Sequence, residues 1–382
     1  MSSFVSRPLL VRSVSILGGA IGFYLPLSVV PLFNPQSAGS ATVALLVATV
    51  VGELGTPRLV ARIGYRWALT AGLTLLGLPT LFLLLGPAPA LILAVSVVRG
   101  FGFAICTVAG GALTAALIPA DRRGEGLAFV GLVSGVSGLL ALPAGVWAAD
   151  RWGFSPVFLV TTVATLLALV SVPALPARAS ATPASAGILA GLRQPSLNRP
   201  AALFATSTAA VGVLVTYLPL AGADRPGWIV ALALLLQPAA ATVARWVAGR
   251  LGDRRGLRRM LAPGLVSSAA GMAALACTGS VPMLLGGAVL FGAGFGILQN
   301  TTLALMYAEA PAGSEDTVSA VWNIAYDLGM AAGAFAAGLT VTSIGYGWTF
   351  LLAAAAMLPA LRLIPAPKLH LRKLVGDGNL LA

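Results

Sequence analysis

The stretch GRLGDRRGLRR, residues 249 to 259, decides the fold because it places five arginines and a single acid, Asp253, between two long apolar runs. Only 9% of the 382 residues are charged and 58% are hydrophobic, whereas soluble domains carry about 25% charged residues. A surface that faces lipid explains this shortage of charge. The sequence therefore indicates a polytopic membrane protein whose charges are concentrated in short connectors.

Apolar runs long enough to cross a bilayer recur along the whole chain. A membrane-spanning helix needs about 20 apolar residues, and the breaks between such runs define twelve predicted spans. They lie near residues 10–32, 41–60, 68–86, 89–118, 126–149, 155–176, 200–220, 227–248, 260–279, 281–308, 318–342 and 348–366. The fold class predicted from this pattern is an all-α polytopic membrane protein with twelve transmembrane helices.

The arginines predict the orientation of these spans, because short connectors rich in Arg and Lys stay in the cytoplasm. With a cytoplasmic N-terminus, the connectors on that side carry most of the basic residues, whereas the opposite connectors carry only Arg151 and Arg225. We therefore expect a multi-pass protein with both termini in the cytoplasm. The excess of 21 arginines over two lysines, with abundant Ala, Gly and Pro, is typical of a GC-rich bacterial genome, so the expected location is a bacterial plasma membrane, the inner membrane.

The longest polar segment separates the first six predicted spans from the last six. Its Ala, Ser, Pro and Arg content is typical of a linker. The sequence thus predicts an N-terminal six-helix bundle over residues 1–177, a cytoplasmic linker over 178–199, and a C-terminal six-helix bundle with a cytoplasmic tail over 200–382.

An internal repeat with an offset of 192 residues relates these two predicted bundles. The connector PRLVARIGYRW, residues 57 to 67, aligns with residues 249 to 259. Further pairs with the same offset are Gly100 and Gly292, Gly102 and Gly294, Phe103 and Phe295, Pro119 and Pro311, and Gly153 and Gly345. Two parallel six-helix halves with a substrate site between them are the architecture of one large transporter class.

The connector GRLGDRRGLRR resembles the signature connector of the major facilitator superfamily, G-x-L-x-D-R-x-G-R-R, and lies between spans 8 and 9, where the duplicated copy belongs. Arg99-Gly100 is similar to the R-x-x-x-G region of span 4 in that family. Residues 142–154 look like a degenerate G-P-x-x-G-G motif of its exporters. The resemblance implies two six-helix halves that work by alternating access, and we expect a monomer without a cofactor.

The resemblance also implies a role for the two connectors. The acid at position 253 is expected to pair with a nearby arginine and with the positive end of a helix in the opposite half, which holds the cytoplasmic side closed. The residues of this predicted cytoplasmic latch are Asp253, Arg254, Gly249, Gly256, Arg258, Arg62, Gly64 and Arg66. The first copy has Ala61 in place of the acid, so the second copy is predicted to be the intact one.

Four ionisable residues lie away from the ends of the predicted spans, where charge is costly and points to function. Asp327 in span 11 is the first candidate proton carrier, because apolar surroundings favour the neutral acid; a structural hydrogen-bonding role is the alternative. Glu53 in span 2 is the second candidate, for carrying protons or closing the cytoplasmic side. Arg99 in span 4 orients substrate or ties helices together. Arg245, the repeat equivalent of Glu53, is expected to extend to the inner interface.

Other polar and aromatic residues inside the predicted spans are candidates for the wall of a substrate cavity. Together with Arg99 they are Tyr24, Tyr217, Gln237, Gln299, Asn300, Trp322, Asn323 and Tyr326. Aromatic residues at such positions also serve in ordinary helix packing.

These features predict a secondary transporter, and favour proton-coupled efflux of small lipophilic compounds, so the expected partners are a small-molecule substrate, protons and the lipid bilayer. The alternatives are an uptake symporter or uniporter for a sugar or other metabolite, and a non-transporting membrane protein. An enzyme is not expected, because no cluster of nucleophile, base or metal ligands is visible. The single histidine, His370, and two distant cysteines offer no metal site, and the basic residues lie in connectors rather than on a nucleic-acid-binding face.

Overall fold

The helices of the computed structural model follow the apolar runs of the sequence. The structure describes residues 7–118, 123–175, 194–310 and 315–364. In these ranges the α-helices are α1 (Arg7–Leu27), α2 (Val29–Phe33), α3 (Ala38–Gly77), α4 (Pro89–Leu117), α5 (Arg123–Trp152), α6 (Phe154–Leu167), α7 (Pro195–Ala221), α8 (Gly227–Arg255), α9 (Arg258–Leu275), α10 (Val281–Glu309) and α11 (Glu315–Met357). Short 3-10 helices lie at Pro35–Ser37, Leu78–Leu85, Ala168–Ala174 and Leu358–Leu363.

Nine helical stretches in these described ranges are long and apolar enough to cross a membrane. Two of them, Pro35–Leu85 and Thr317–Leu363, each contain two of the predicted spans. The helix α9 begins with Arg258 and Arg259 and lies outside the nine stretches, and it corresponds to predicted span 9. The nine stretches together with α9 therefore cover the predicted spans.

Glycines with positive φ reverse the chain between consecutive spans. α3 turns at Gly64 (φ 79°, ψ 168°) and α11 turns at Gly345 (φ 77°, ψ 172°). Gly256 between α8 and α9 has a φ of 88°, and Gly153 between α5 and α6 has a φ of 80°. Because a side chain disfavours this left-handed region, glycine is required at these turns. The offset of 192 residues relates Gly64 to Gly256 and Gly153 to Gly345. The internal repeat therefore includes the backbone conformation at these turns.

These turns are tighter than the sequence predicts. Residues 57–67 and 249–259 are expected as connectors, but helix continues to the residue before Gly64 and before Gly256. A single glycine in the left-handed region reverses the chain without a longer loop, which explains the difference.

Close packing of helices repeats with the same offset. A Cβ atom at Gly100 of α4 would collide with the carbonyl oxygen of Leu45 in α3. A Cβ atom at Gly292 of α10 would collide with the carbonyl oxygen of Gln237 in α8. Leu45 and Gln237 are themselves 192 residues apart. An equivalent close contact between helices therefore occurs in each part of the chain, at positions that the sequence repeat relates.

We expect the substitution Gly292→Ala to destabilise the protein by about 1–3 kcal/mol, because the added methyl group overpacks the contact with α8. Gly286→Ala in the same helix is the matched control, since a Cβ atom there meets nothing within 4 Å. Thermal unfolding of the two purified variants in detergent measures the difference. Equal melting temperatures for both variants would contradict the observed packing.

Two names help to describe the arrangement of the helices. We call residues 7–175 the first half and residues 194–364 the second half. The two ends of the bundle are named after the predicted orientation. The outer end carries residues 34–37, 86–88, 153, 222–226, 276–280 and 345. The opposite end is the inner end. The boundary of the predicted linker, 178–199, falls mostly on residues outside the described ranges, so the predicted division into domains stays a prediction.

Candidate functional site

A cavity of about 370 Å³ lies between the first half and the second half. Nine of its lining residues have ionisable, amide, hydroxyl or ring NH groups and were singled out in the sequence: Tyr24, Glu53, Gln237, Arg245, Gln299, Trp322, Asn323, Tyr326 and Asp327. The first half contributes residues of α1, α3, α4 and α5, and the second half contributes residues of α7, α8, α10 and α11. The cavity is therefore built by both halves, as the internal repeat predicts.

The two acids of this cavity come from different halves of the protein. Glu53 lies on α3 and Asp327 lies on α11. The side chain of Asp327 is buried, with 7% of the residue exposed, and Glu53 is partly buried. The two carboxyl groups lie near enough to interact electrostatically. A movement of one half against the other would therefore change the surroundings of both acids.

A basic group faces the same cavity from α8. Arg245 Nη1 donates a hydrogen bond to Gln299 Oε1 of α10, at 3.2 Å. The sequence predicts that Arg245 extends to the inner interface, whereas the structure places it in the cavity wall beside this amide. The partner on α10 explains the difference, because its amide oxygen accepts a charge-assisted hydrogen bond from the guanidinium in the cavity wall.

Aromatic rings form much of the remaining wall. In the second half, the rings of Phe204 and Trp322 stack at 4.5 Å between centroids, and Phe295 meets Tyr326 edge to face at 6.4 Å. Trp322 Nε1 donates a hydrogen bond to Thr302 Oγ1 at 3.3 Å, which fixes the indole in place. The cavity thus combines apolar ring faces with the polar and ionisable groups named above, and both kinds of group line small-molecule sites.

In the first half, the rings of Phe23 and Phe103 stack at 3.6 Å on the opposite wall of the same cavity. Neither phenylalanine is among the predicted cavity residues, and Phe103 is named in the sequence only as a landmark of the repeat, because a phenylalanine inside a predicted span is indistinguishable there from ordinary packing.

Three of the residues predicted to line a cavity lie outside it. Arg99 is buried in α4, and its Nη2 donates a hydrogen bond to the carbonyl oxygen of Gly22 in α1, at 2.8 Å. Tyr217 Oη donates a hydrogen bond to the carbonyl oxygen of Ala334 at 3.3 Å. Asn300 follows the cavity residue Gln299 by one position on α10, which turns it by about 100° around a helix of 3.6 residues per turn. For Arg99, the position favours the helix-tying alternative.

The two halves contact each other directly at the outer end. The hydroxyl groups of Thr42 in α3 and Thr216 in α7 form a hydrogen bond of 3.1 Å. The backbone NH of Gly227 donates a hydrogen bond to Asp150 Oδ2 at 3.2 Å. Gly39 lets α3 approach α11, since a Cβ atom there would lie 2.9 Å from the carbonyl oxygen of Ala334. These contacts close the outer end, and the cavity lies on their inner side.

The residues of the predicted cytoplasmic latch lie at the inner end. The side chain of Asp253 is outside the described residues, so its pairing stays a prediction. Arg258 forms an ion pair with Glu309 at the end of α10. Arg66 donates two hydrogen bonds to the carbonyl oxygen of Leu175, at 3.2 and 2.7 Å. Both described contacts stay within one half of the protein.

The other members of this predicted latch are placed without a contact between the halves. Arg62 and Arg254 are exposed, Gly64 and Gly256 form the positive-φ turns, and a Cβ atom at Gly249 would meet only Asn300 of the same half, at 3.6 Å.

A second cavity of about 330 Å³ lies inside the first half, among α1, α4 and α5. It contains Arg12, which lies near the start of the first predicted span. The structure buries Arg12 to 5% exposure, and four residues of this cavity also line the larger one: Tyr24, Phe103, Thr107 and Ser134. The position of Arg12 near the start of an apolar run hides this burial from sequence analysis.

Comparison with known proteins decides the family. The sequence model described as the Major Facilitator Superfamily matches residues 9–333 and 226–375 of this chain. The chain belongs to the major facilitator superfamily. The protein is therefore a multi-pass membrane protein and a secondary transporter of small molecules, and it is not an enzyme. This confirms the predicted fold class and the family suggested by the connector at 249–259.

A curated relative of this superfamily member is a "Chloramphenicol resistance protein" of Streptomyces lividans, which is 32% identical over 263 residues. The match covers 64% of this chain and 66% of the relative, so it spans just under two thirds of the relative's length.

Solved structures of transporters share the fold at low sequence identity. The peptide transporter POT in complex with sulfate has a TM-score of 0.75 at 16% identity, and the match covers 94% of this chain and 93% of POT. The xylose transporter XylE from E. coli, in a partially occluded inward open conformation, has a TM-score of 0.74 at 16% identity, with full coverage of both chains at 100%. The nucleoside transporter NupG has a TM-score of 0.71 at 13% identity, covering 94% of this chain and 98% of NupG.

Proposed function

We propose that this superfamily member exports small lipophilic compounds in exchange for protons. The observation that carries the proposal is the placement of Glu53 and Asp327, from different halves, in the wall of one cavity. An acid that is accessible first from one side of the membrane and then from the other can bind and release a proton in each cycle. Exchange follows when the substrate binds to the deprotonated site, so that the site holds either the substrate or the proton.

The burial of Asp327 supports its role as the principal proton carrier. A charged carboxylate in apolar surroundings is costly unless a partner compensates it. Among the described residues, no basic group forms an ion pair with Asp327. The neutral acid is therefore the favoured form in this arrangement, and release of its proton requires a change in its surroundings.

The walls of the cavity support a lipophilic substrate. Phe23 and Phe103 of the first half and Phe295 and Trp322 of the second half provide flat apolar surfaces beside the polar and ionisable groups of the same wall. The Streptomyces relative is named for resistance to chloramphenicol, a function that export of the compound would provide. Chloramphenicol is therefore the first compound to test.

A sugar or another polar metabolite is the second candidate substrate class. Gln237, Gln299 and Asn323 line the same cavity and can donate and accept hydrogen bonds to hydroxyl groups. Such a substrate would move in the same direction as protons in an uptake symporter, or without them in a uniporter.

Proteoliposomes with an imposed pH gradient and a clamped membrane potential separate these functions. An exchanger accumulates chloramphenicol or tetraphenylphosphonium in vesicles with an acidic lumen, by about tenfold per exchanged proton for one pH unit. The gradient acts in this direction whichever way the protein is inserted. Collapse of the gradient with nigericin is the control. Accumulation of xylose in vesicles with an alkaline lumen, without accumulation of either lipophilic compound in acidic vesicles, would replace the proposal by the uptake alternative.

A further inference from the structure

The second cavity, inside the first half, contains a buried cation that the proposed exchange of protons does not use. Arg12 of α1 lies beside α4, and its Nε donates a hydrogen bond to Thr114 Oγ1 at 3.2 Å. Its Nη1 donates a hydrogen bond to Ser15 Oγ at 2.6 Å. Among the described residues, Nη2 has no hydrogen-bond partner. A Cβ atom at Gly110 would collide with Nη2, so glycine makes room for the guanidinium against α4.

The two hydroxyl groups next to Arg12 are already committed. Thr114 Oγ1 donates its own hydrogen to the carbonyl oxygen of Gly110 at 2.7 Å, and Ser15 Oγ donates to the carbonyl oxygen of Arg12 at 2.8 Å. Both oxygen atoms therefore present lone pairs to the guanidinium. The arrangement fixes the orientation of Arg12 and neutralises none of its charge.

A buried guanidinium held only by neutral groups is costly, and its natural complement is an anion. In the described part of the chain, no carboxylate forms an ion pair with Arg12. The space beside it is bounded by the apolar residues Ile16, Ala20 and Phe103, and it adjoins the larger cavity. A ligand that enters from the larger cavity can therefore bring an anionic group to Arg12 and keep an apolar body against these residues.

We propose that the second cavity binds the anionic oxygen group, a carboxylate or a phosphate, of a small amphipathic molecule through Arg12. Guanidinium groups recognise both kinds of anion with charge-assisted hydrogen bonds. The anionic group belongs either to a soluble organic acid or to the headgroup of a lipid that enters from the bilayer. The proposal uses the larger cavity as an entrance, and it stands independently of proton exchange.

Gly111 offers a way to fill this cavity without touching Arg12. It lines the cavity, and a Cβ atom there meets nothing within 4 Å. Gly55 also has nothing within 4 Å of its Cβ position and lies outside both cavities. Gly111→Leu and Gly55→Leu therefore form a matched pair, one that blocks the proposed site and one that does not.

Isothermal titration calorimetry of the purified protein in an uncharged detergent tests the proposal. The probes are benzoate against its neutral isostere benzamide, and dihexanoylphosphatidic acid against dihexanoylglycerol. We expect the protein to bind at least one of the two anions in preference to its neutral partner. Arg12→Gln and Gly111→Leu should each weaken that binding by about tenfold or more, whereas Gly55→Leu should leave it unchanged.

The two anions separate the possible sources of the ligand. Binding of benzoate assigns the site to soluble organic acids, and binding of dihexanoylphosphatidic acid alone assigns it to a lipid headgroup. Equal binding of anion and neutral isostere, or anion binding that survives both Arg12→Gln and Gly111→Leu, would overturn the proposal. Failure of this binding test leaves the proton-exchange result unaffected, because that result is read from transport.

Discussion

Asp327→Asn is expected to lower the accumulation of substrate in acidic vesicles about tenfold, to the level that remains after the gradient is collapsed with nigericin. The amide keeps the shape and hydrogen-bonding capacity of the side chain but cannot bind and release a proton. Exchange of labelled for unlabelled substrate without a pH gradient should persist, because binding and movement of the substrate do not require the proton. The measurement is accumulation and exchange in the same preparation of proteoliposomes.

Glu53→Gln extends this test to the second acid. We expect it to weaken gradient-driven accumulation as well, since Glu53 lies in the same cavity and interacts with Asp327. Asp224→Asn is the control, because Asp224 is an exposed acid between α7 and α8, away from the cavity. Undiminished gradient-driven accumulation in both Asp327→Asn and Glu53→Gln would contradict their proposed role.

Gly39→Leu is expected to prevent closure of the outer end and to lower transport about tenfold or more. A Cβ atom at Gly39 would lie 2.5 Å from Tyr217 Oη and 2.9 Å from the carbonyl oxygen of Ala334. A leucine side chain therefore cannot fit while α3 and α11 are in contact. The variant should remain folded with its outer end open, because the obstruction acts on the contact between the halves.

A single cysteine at Thr216 reports this change. Thr216 is fully buried at 0% exposure in the closed arrangement, so Thr216→Cys should react with an impermeant maleimide only when the outer end opens. The background requires Cys106→Ser and Cys277→Ser to remove the native thiols. Gly55→Leu, in the same helix and in open space, is the control. Equal labelling rates and equal transport in Gly39→Leu and Gly55→Leu would argue against the proposal that contact at Gly39 closes the outer end.

Much of the fold could be predicted from the sequence because lipid imposes simple requirements on the chain. The length of the apolar runs gives the spans, whereas the single-glycine turns at 64, 153, 256 and 345 depend on backbone angles that the sequence does not specify. The repeat offset of 192 residues pairs Gly100 with Gly292, and the structure shows that both make the equivalent close contact between helices.

The candidate site was less predictable, because depth in the membrane does not specify which way a side chain faces. Arg99 is predicted to line the cavity but contacts the backbone of α1 instead. Arg12 lies at the start of an apolar run, where a basic residue usually faces water, yet α4 and α1 bury it. Both outcomes depend on the rotation of α1 and α4 about their axes, which neighbouring helices set and a single apolar run does not encode.

The central claim is that substrate binding and proton binding compete through Asp327. The most direct measurement is proton release from the purified protein in weakly buffered detergent solution, on addition of whichever of chloramphenicol and tetraphenylphosphonium the vesicles accumulate. We predict a stoichiometric fall in pH for the parent protein and none for Asp327→Asn. Equal proton release by the two proteins, or no release by the parent despite measurable binding, would contradict the claim.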